Sequence, residues 1–489
     1  MSDTLGVWPF AVAGGGGSVD GAPASALVAA GLSLLRGHAP LVRALAGRRS
    51  AICCPPSPAF LVAMAASDGR GAVLVNPLAA PIEVAMQCED ADVGAVFTVS
   101  ALASRAPAGL PVVLLDEAPH RATVVMGGQS TVVPLTMHGG MRLDGEADTP
   151  GRDEEATVVF TSAMAGRPLG SIATHRNLLH NARAVRDAAG FTPLDHVLAV
   201  LPFAHLFGLT VTLAAPLLAG ARVTTMPRFS PLRLLEALEQ EDVTVMAGVP
   251  AVYLALLGAM AKRGAPVRPR ALRRCIVGGA ALSAQVQEAW AQATGLELHQ
   301  GYGLTEASPV ALFNPTDRPN RRGVLGIPFD GTAVSIREPF AHTAEADALA
   351  APLTPEVADG QVGELCVRGD HVSPGYVRDG ARGLPRPGGW LYTGDLVQRE
   401  ADGALRFRGL VKPMFTRNGF NIYPRELETA LLEHPRISAV RVTGVAHPTH
   451  EHEIVTSIGG DITEAEVRAW CEARLAAYKQ PTTIQLRGG

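Results

Sequence analysis

The strongest constraint on the fold is an alternation, starting at Ser50, of stretches typical of β-strands with stretches typical of α-helices. The alternating stretches are 50–53, 58–66, 71–75, 82–88, 93–99, 157–160 and 177–189. Strands connected through helices pair in parallel, and the helices cover the faces of the sheet. The alternation therefore predicts an α/β domain, and open α/β sheets bind ligands at the carboxyl ends of their strands.

The pattern changes after Gly409. A helix is predicted to begin at Pro424, strands are predicted at 437–442 and 454–458, and Thr463 stands at the start of a last helix. These elements fit a small α+β unit of about 80 residues. We therefore expect a large N-terminal α/β domain with stacked mixed sheets and covering helices, followed by a small α+β C-terminal domain.

The composition is that of a globular protein without affinity for polyanions. Hydrophobic residues make up 47% of the 489 residues and charged residues 18%, which excludes a disordered chain. The net charge is -4 and no basic run stands out, so neither nucleic acid nor an anionic membrane surface is an expected partner. Six scattered cysteines form no C-x-x-C pair, which favours reduced core residues and no zinc site.

One apolar stretch, 197–221, is long enough to span a bilayer. Pro202, Gly208 and Pro216 interrupt it, and His205 lies within it. These features favour a strand, a loop and a buried helix, so no membrane span is expected. The N-terminus lacks the positive charge with which a secretory signal begins, and we therefore expect a cytoplasmic protein.

Four stretches carry candidate chemistry, and the first is the loop 161–170 after a predicted strand. Backbone N–H groups of such a loop can cradle phosphate oxygens, and Thr161 and Ser162 add hydroxyl groups. Apolar side chains fill other positions where donors would help. An ordinary turn is therefore the favoured interpretation of this stretch on its own.

The second stretch, 298–306, runs from a strand into a loop with Gly301 and Gly303. The two glycines permit close approach of the backbone to a ligand, and Tyr302 offers a face on which a ring can stack. The loop 278–282 follows another predicted strand and provides a second close approach. An ordinary glycine-rich turn with a tyrosine in the core is the alternative.

The polar residues at the end of this second stretch suit phosphate and metal chemistry. Thr305 can donate a hydrogen bond to a phosphate oxygen, and Glu306 can hold a cation that bridges phosphates.

The third stretch is 390–395, a tight turn in which Asp395 could accept hydrogen bonds from both hydroxyls of a ribose. A solvated turn aspartate is the alternative. The fourth stretch, 408–428, crosses the join between the two predicted domains. Either of these stretches alone is more often a plain loop.

Together and in this order, the four stretches resemble the motifs of the acyl-adenylate-forming (ANL) superfamily, which comprises acyl-CoA synthetases, peptide-synthetase adenylation domains and luciferases. The resemblance covers roughly residues 50–484. Its most specific parts are 301–306, 392–395 and 419–428. It implies an AMP- and acyl-binding domain, 1–411, and a mobile C-terminal domain, 412–489. It also implies two half-reactions, in which a carboxylate and Mg-ATP give an acyl-adenylate, and a thiol then displaces AMP.

The resemblance implies a nucleotide site. In it, Tyr302 and the loop 278–281 hold the adenine, Asp395 holds the ribose, Thr305 contacts the α-phosphate and Glu306 is the magnesium-associated glutamate. The full set of implied nucleotide-binding residues is Thr161, Ser162, Gly278, Gly279, Ala280, Ala281, Tyr302, Gly303, Thr305, Glu306 and Asp395.

The resemblance also implies residues for the thiol step. His205 resembles the family histidine near the acyl carboxylate and the thiol entrance; a lone histidine in an apolar run would otherwise be a core residue. Gly419, Phe420 and Asn421 resemble the loop that swings in for thioester formation and lines the tunnel for pantetheine, the thiol arm of coenzyme A. Lys412 occupies the hinge position.

The departures from the family pattern concern ATP. The family phosphate loop reads Thr-Ser-Gly-Thr-Thr-Gly-x-Pro-Lys-Gly, whereas here Met164 and Ala165 replace two hydroxyl residues and Leu169 replaces the lysine. The family also carries an adenylation lysine beyond its Tyr-Lys-x-Pro segment, and we expect it to be absent because this chain ends at Gly489. Leu410 replaces a ribose-contacting arginine.

These departures predict a non-adenylating ligase, similar to the split ligases of platensimycin-type diterpenoid antibiotic biosynthesis. Its co-substrate would be coenzyme A, its other ligand AMP or an acyl-adenylate, and Mg²⁺ would be needed only if adenylation is retained. A separate adenylating ligase could supply the adenylate. The alternatives are a conventional ATP-dependent acyl-CoA synthetase that uses Lys412 or another cation, and a catalytically dead scaffold that docks a partner ligase.

A last cluster, His447, His450, His452 and Glu453, has spacing that could suit a metal. It coincides with a predicted surface turn between two strands, which is the favoured interpretation, and no metal site is expected.

Overall fold

The structure is a computed structural model of the chain. It describes residues 7–67, 70–137, 151–161, 168–264, 267–280, 282–340, 352–377, 387–411 and 414–487.

The strands are β1 (Ser18–Val19), β2 (Ala22–Pro23), β3 (Arg49–Cys53), β4 (Ala72–Leu74), β5 (Val93–Thr98), β6 (Val112–Leu114), β7 (Arg121–Met126), β8 (Gln129–Pro134), β9 (Glu155–Thr161), β10 (Leu169–Thr174), β11 (His196–Ala199), β12 (Arg222–Thr225), β13 (Val245–Gly248), β14 (Arg274–Val277), β15 (Leu298–Gly303), β16 (Val310–Phe313), β17 (Ile327–Pro328), β18 (Ala333–Arg337), β19 (Val362–Arg368), β20 (Leu391–Arg399), β21 (Leu405–Leu410), β22 (Phe415–Arg417), β23 (Phe420–Ile422), β24 (Ile437–His447), β25 (Glu451–Gly460) and β26 (Thr483–Arg487).

The α-helices are α1 (Trp8–Gly14), α2 (Ala24–Gly37), α3 (Ala39–Leu45), α4 (Pro58–Ala66), α5 (Pro81–Asp90), α6 (His175–Ala188), α7 (Ala215–Leu218), α8 (Pro231–Gln240), α9 (Pro250–Arg263), α10 (Ala284–Thr294), α11 (Pro424–Leu432) and α12 (Glu464–Arg474). A π-helical segment, Gly208–Ala214, leads into α7. Short 3-10 turns lie at Ser100–Arg105, Thr305–Ala307, Pro387–Gly389 and Ala477–Lys479.

Two large mixed sheets and one smaller sheet build the N-terminal part. Among the described residues, one sheet has the strand order β17-β16-β15-β14-β13-β11-β12-β1-β2 and the other has the order β10-β9-β4-β3-β5-β6-β7-β8. The central strands of both sheets pair in parallel, and antiparallel strands flank them. Strands β18 to β21 form an antiparallel sheet that follows in the chain. The predicted α/β domain with mixed sheets and covering helices is confirmed.

Helices lie between the two large sheets. Helices α2 and α4 pack on each other, and α6 packs on the Gly208–Leu218 segment. Their buried side chains join strand residues of both large sheets, such as Phe97 of β5 and Val245 of β13, in one apolar core. Strand β5 is buried at every position because helices cover both of its faces.

The stretch 197–221 folds as the sequence predicts, with strand β11, a loop and a buried helical segment. Within the described residues, no single helix is both long and apolar enough to cross a membrane. Only α2 and α3 together, bent by 96°, reach that length and composition.

The C-terminal part has its own sheet and core. Strands β22 and β23 form a hairpin, and β24, β25 and β26 form a separate sheet. Helix α12 begins with the predicted capping box, in which Thr463 and Glu466 exchange side-chain and backbone hydrogen bonds. The core of this unit contains Phe415, Ile422, Leu427, Leu431, Ile437, Val442, Ile454, Ile458, Ile462, Val467, Cys471 and Leu475. The predicted small α+β domain is confirmed.

All six cysteines lie in the described part of the chain, and each is a buried thiol, as predicted. Burial raises the pKa of Cys53 to about 11 and that of Cys88 to about 12. At neutral pH these thiols are therefore protonated core residues rather than nucleophiles.

Candidate functional site

Two neighbouring parallel strands, β14 and β15, bring two predicted binding loops together at their carboxyl ends. A Cβ atom at Gly278 would lie 2.9 Å from the carbonyl oxygen of Gly301 and 3.3 Å from the ring of Phe207. Gly279 has a φ of +79°, a left-handed conformation that favours glycine. Ala280 follows in the same loop, and Ala281 lies outside the described residues. Glycine at these positions therefore lets the loop pack closely against Gly301 and Phe207.

The glycine at position 303 has a structural reason of its own. A Cβ atom there would lie 1.8 Å from the carbonyl oxygen of Pro309, so no other residue fits the hairpin of β15 and β16. Gly303 was predicted to admit a ligand, but its packing against Pro309 is sufficient to require glycine.

Tyr302 and Asp395 come from different sheets and meet in the site. The Tyr302 hydroxyl donates a hydrogen bond to Asp395 Oδ2 at 2.5 Å. Burial raises the pKa of Asp395 to about 6, and it also raises the pKa of Tyr302. A buried carboxylate of this kind gains from further donors, such as the two hydroxyls of a ribose.

Asp395 lies within strand β20 rather than in the predicted tight turn, next to a bulge where the register between β19 and β20 shifts. The Gly394 N–H donates to Glu364 Oε1 of β19 at 2.9 Å, and the Thr393 hydroxyl donates to the Leu365 carbonyl at 2.9 Å. Gly394 has a φ of +79°, a left-handed conformation that favours glycine at this bulge. Glu364 is fully buried and was not predicted to matter. Its hydrogen bond to the Gly394 N–H fixes the backbone next to Asp395.

Thr305 and Glu306 lie in a short 3-10 turn that follows strand β15. The Tyr376 hydroxyl donates to Glu306 Oε1 at 2.9 Å, and the Ser373 N–H donates to the Glu306 carbonyl at 2.8 Å. Burial raises the pKa of Glu306. An enclosed carboxyl group with one oxygen bonded by a tyrosine is suited to hold a cation, which would restore its negative charge. Sequence reasoning missed Tyr376.

His205 lies exposed in the loop after β11. Its Nδ1 accepts a hydrogen bond from the Phe207 N–H at 3.2 Å. Because a backbone N–H can only donate, the neutral ring must carry its proton on Nε2. Desolvation by the surrounding protein lowers the pKa of His205. At neutral pH His205 is therefore a hydrogen-bond donor rather than a cation.

The loop of the small domain that contains Gly419 reaches the large domain. Gly419 has a φ of +79°, and a Cβ atom there would lie 2.7 Å from Val249 Cγ2, between β13 and α9. A Cβ atom at Gly279 would lie 3.3 Å from the same valine. Gly419 and the loop at Gly278 and Gly279 therefore face the same side chain. Sequence reasoning missed Val249, since a valine in an apolar run carries no chemical signal.

The neighbours of Gly419 have different surroundings. The ring of Phe420 stacks on that of Tyr478 with centroids 4.1 Å apart. Asn421 is exposed on β23. Burial raises the pKa of Tyr423, and the charges of Glu306 and Asp395 raise it further, so this tyrosine belongs to the same site. Tyr423 was not among the predicted site residues.

A buried lysine joins the two domains. Lys479 Nζ donates to Glu426 Oε1 of α11 at 2.6 Å and to Glu83 Oε1 of α5 at 3.1 Å. Only 8% of the lysine side chain is exposed. This triad holds the small domain in the orientation that brings Gly419 to Val249.

The predicted phosphate loop lies mostly outside the described residues, including Ser162, Met164 and Ala165. At its ends, Thr161 and Leu169 pair as antiparallel neighbours in β9 and β10. Lys412 also lies outside the described residues. Leu410 pairs directly with Asp395, so an apolar side chain stands opposite this carboxylate.

The cluster of His447, His450, His452 and Glu453 lies at the turn between β24 and β25. Over the described part of the chain, no three His, Cys, Asp or Glu side chains are grouped so as to bind a metal ion. The predicted turn is confirmed.

Comparisons with known proteins show the family to which the chain belongs. The model of the AMP-binding enzyme family matches residues 28–377, and the model of the AMP-binding enzyme C-terminal domain matches residues 426–488. The chain is 31% identical over 452 residues to feruloyl-CoA synthase of Amycolatopsis sp., which covers 90% of this chain and 84% of the relative. It is 28% identical over 480 residues to a long-chain-fatty-acid–CoA ligase of Bacillus subtilis, covering 90% of this chain and 82% of the relative.

Two further curated relatives match over a shorter part, and the chain spans 60% of one and 63% of the other. Among solved structures, a malonyl-CoA ligase in a ternary product complex with methylmalonyl-CoA and AMP superposes with a TM-score of 0.77 at 26% identity, covering 96% of this chain and 95% of that one. The chain belongs to the AMP-binding enzyme family of acyl-CoA synthetases and ligases.

Proposed function

We propose that this protein is an acyl-CoA ligase whose main reaction is the thioester-forming half, acyl-AMP + CoA → acyl-CoA + AMP. The thiol sulfur bonds to the acyl carbonyl carbon, the bond from that carbon to the phosphate oxygen breaks, and the thiol proton is released to solvent. The observation that carries the proposal is the contact of Gly419 with Val249, which brings the small domain to the loop proposed to hold the adenine.

The nucleotide half of the adenylate has residues suited to it. Asp395 would accept from the ribose hydroxyls, Tyr302 would stack near the adenine, and Thr305 would donate to the α-phosphate. The loop 278–281 would let the adenine approach the backbone. The hydrogen bond that fixes the backbone beside Asp395 supports this assignment, because a pre-positioned carboxylate loses little entropy on binding.

The acyl carbonyl has a donor suited to it. His205 carries its neutral proton on Nε2, so it would donate to the carbonyl oxygen as negative charge develops there during attack. In this tautomer it cannot also take the thiol proton. We therefore assign His205 to support of the carbonyl, and Gly419, Phe420 and Asn421 to the path of the thiol.

Three positions argue against efficient use of ATP. Met164 and Ala165 lack hydroxyls, and Leu169 lacks the ammonium group that phosphate loops use to hold pyrophosphate. Loss of charge-assisted contacts to a leaving group removes orders of magnitude in rate. Leu410 beside Asp395 adds no donor toward a nucleotide. We propose that a separate adenylating ligase supplies the acyl-adenylate.

A complete ATP-dependent ligase is the second candidate. Glu306 with Tyr376 favours it, since a carboxylate of this kind holds the magnesium ion that accompanies ATP. The relatives that are named CoA ligases favour it as well. In this case Lys412, at the proposed boundary between domains 1–411 and 412–489, would supply a missing positive charge.

The acyl group is proposed to be hydrophobic. Val249 is a partly exposed apolar side chain beside Gly279, and Phe207, two residues after His205, packs beside Gly278. The narrowest form of the proposal is a diterpenoid carboxylic acid in cytoplasmic antibiotic biosynthesis, and it rests on the similarity to the split ligases.

The test uses preformed adenylates of an aliphatic, an aromatic and a diterpenoid acid, each with CoA, and mass spectrometry of the products. Acyl-CoA formation above the uncatalysed rate from one of them supports the proposal. If the protein binds these adenylates without transfer to CoA from any of them, it is a scaffold and the proposal is wrong.

A further inference from the structure

The turn between β24 and β25 lies directly behind the Gly419 loop. We name residues 447–452 the backing turn. The Gly419 N–H donates to Glu451 Oε2 at 3.2 Å, and the Asn418 N–H donates to the His450 carbonyl at 3.3 Å. His452 Nδ1 lies 3.0 Å from the Thr416 carbonyl and therefore donates to it. The backing turn thus contacts the segment before and at Gly419 through Thr416, Asn418 and Gly419.

Glu451 has an energetically unfavourable backbone conformation and a buried carboxylate oxygen without a hydrogen-bond donor in the described part of the chain. Its φ is +64°, in the left-handed region that glutamate rarely adopts. Its Oε1 atom is buried and accepts no hydrogen bond from the described residues. Burial also raises the pKa of this carboxyl group, while hydrogen bonds from the Gly419 N–H and the Thr416 side chain lower it. Strain and incomplete hydrogen bonding at one residue persist where the surrounding structure requires them, and such sites are often functional.

The position of this residue relates it to the thiol path. Gly419 lies between Val249 and Glu451. A Cβ atom built on Gly419 would lie 2.7 Å from Val249 Cγ2, and the Gly419 N–H donates a hydrogen bond to the Glu451 carboxylate. A movement of the amide away from Glu451 would change the gap between the loop and Val249. The carboxylate therefore determines where one wall of the proposed thiol path stands.

We propose that Glu451 is a positioning residue for the thioester step, which fixes the Gly419 amide and thereby the width of the pantetheine path. This inference rests on the proposed function. It assigns a role to a segment whose histidine and glutamate spacing otherwise resembles a metal site.

Variants at position 451 separate positioning from stability. Glu451→Gly removes both the backbone strain and the acceptor, so the protein should be at least as stable as the wild type while kcat/KM for CoA falls about 10- to 100-fold. The KM for the acyl-adenylate should stay unchanged. Glu451→Gln keeps an acceptor oxygen and should restore transfer to within about threefold of wild type. The matched control is Glu453→Ala, at a neighbouring glutamate whose Oε1 lies 3.6 Å from His447 Nε2.

A second measurement does not depend on catalysis. Hydrogen exchange of a peptide covering 414–423 should be faster in Glu451→Gly and Glu451→Ala than in wild type or Glu453→Ala. Unchanged exchange, or full CoA transfer by Glu451→Gly, overturns the role of Glu451. Faster exchange together with a wild type that transfers no acyl group overturns the proposed function instead.

Discussion

Replacement of Gly419 by alanine tests the contact on which the proposed thioester-forming orientation depends. A Cβ atom at this position would lie 2.7 to 2.8 Å from three side-chain atoms of Val249, which is closer than carbon atoms pack. Val249 belongs to the large domain and Gly419 to the small one, so the clash arises only when the domains are closed. Overpacking of this size costs about 1 to 3 kcal/mol. CoA transfer should therefore slow about 5- to 150-fold.

The left-handed backbone of Gly419 requires a control. Gly403 has a φ of +87°, and a Cβ atom there would meet nothing within 4 Å. Gly403→Ala therefore carries the same backbone strain without the contact between domains. It should lower stability by about 1 to 2 kcal/mol and leave the transfer rate unchanged.

The assay is single-turnover transfer from a preformed acyl-adenylate to CoA, followed by calorimetric measurement of adenylate binding. Gly419→Ala should lose rate and keep adenylate affinity within about twofold. Val249→Ala in the same chain removes two of the three clashing atoms, Cγ1 and Cγ2, and should recover part of the rate. The reasoning is refuted if Gly419→Ala transfers at the wild-type rate, or if the double variant is no faster than Gly419→Ala.

Two further predictions concern charged groups of the site. Because burial raises the pKa of Asp395 to about 6, its carboxylate loses its ability to accept ribose hydroxyls as the pH falls through that value, so affinity for adenosine, which has no titrating phosphate, should decline from pH 7 to pH 5. Calorimetry of Asp395→Asn should show weaker adenosine binding without that decline, and an equal decline in this variant would contradict the assignment. Lys479→Met leaves the largely buried carboxylates of Glu83 and Glu426 without their cation. Such a loss commonly lowers the free energy of unfolding by about 3 to 5 kcal/mol. Proteolysis between the two domains should become faster, and Arg408→Met, at an exposed arginine that contacts Gln398, should behave like wild type.

Local features of the fold follow from the sequence. Helix α4 has the predicted bounds because Pro58 suits the first turn and every residue from Ala59 to Ala66 is apolar and buried. The apolar stretch around His205 was interpreted correctly because proline and glycine interrupt it. Such features depend on residues that are close in the chain.

The contacts that shape the candidate site are not local, and the sequence alone could not show them. Lys479 and Glu83 are 396 positions apart, and Gly419 and Glu451 are 32 apart. Tyr302 and Asp395 were each predicted, but their mutual hydrogen bond depends on how two sheets pack. Val249 is apolar, so nothing in the sequence marks it as a site residue, and only the structure shows that it lies beside Gly419.

The most direct test of the central claim compares two routes to acyl-CoA in the same enzyme preparation. One reaction contains a hydrophobic carboxylic acid with Mg-ATP and CoA, and the other contains the preformed adenylate of that acid with CoA. The account predicts rapid acyl-CoA formation from the adenylate and a rate lower by orders of magnitude from the acid and ATP. Equal rates from both routes, with pyrophosphate released in step with product, would contradict it and identify a complete ATP-dependent ligase.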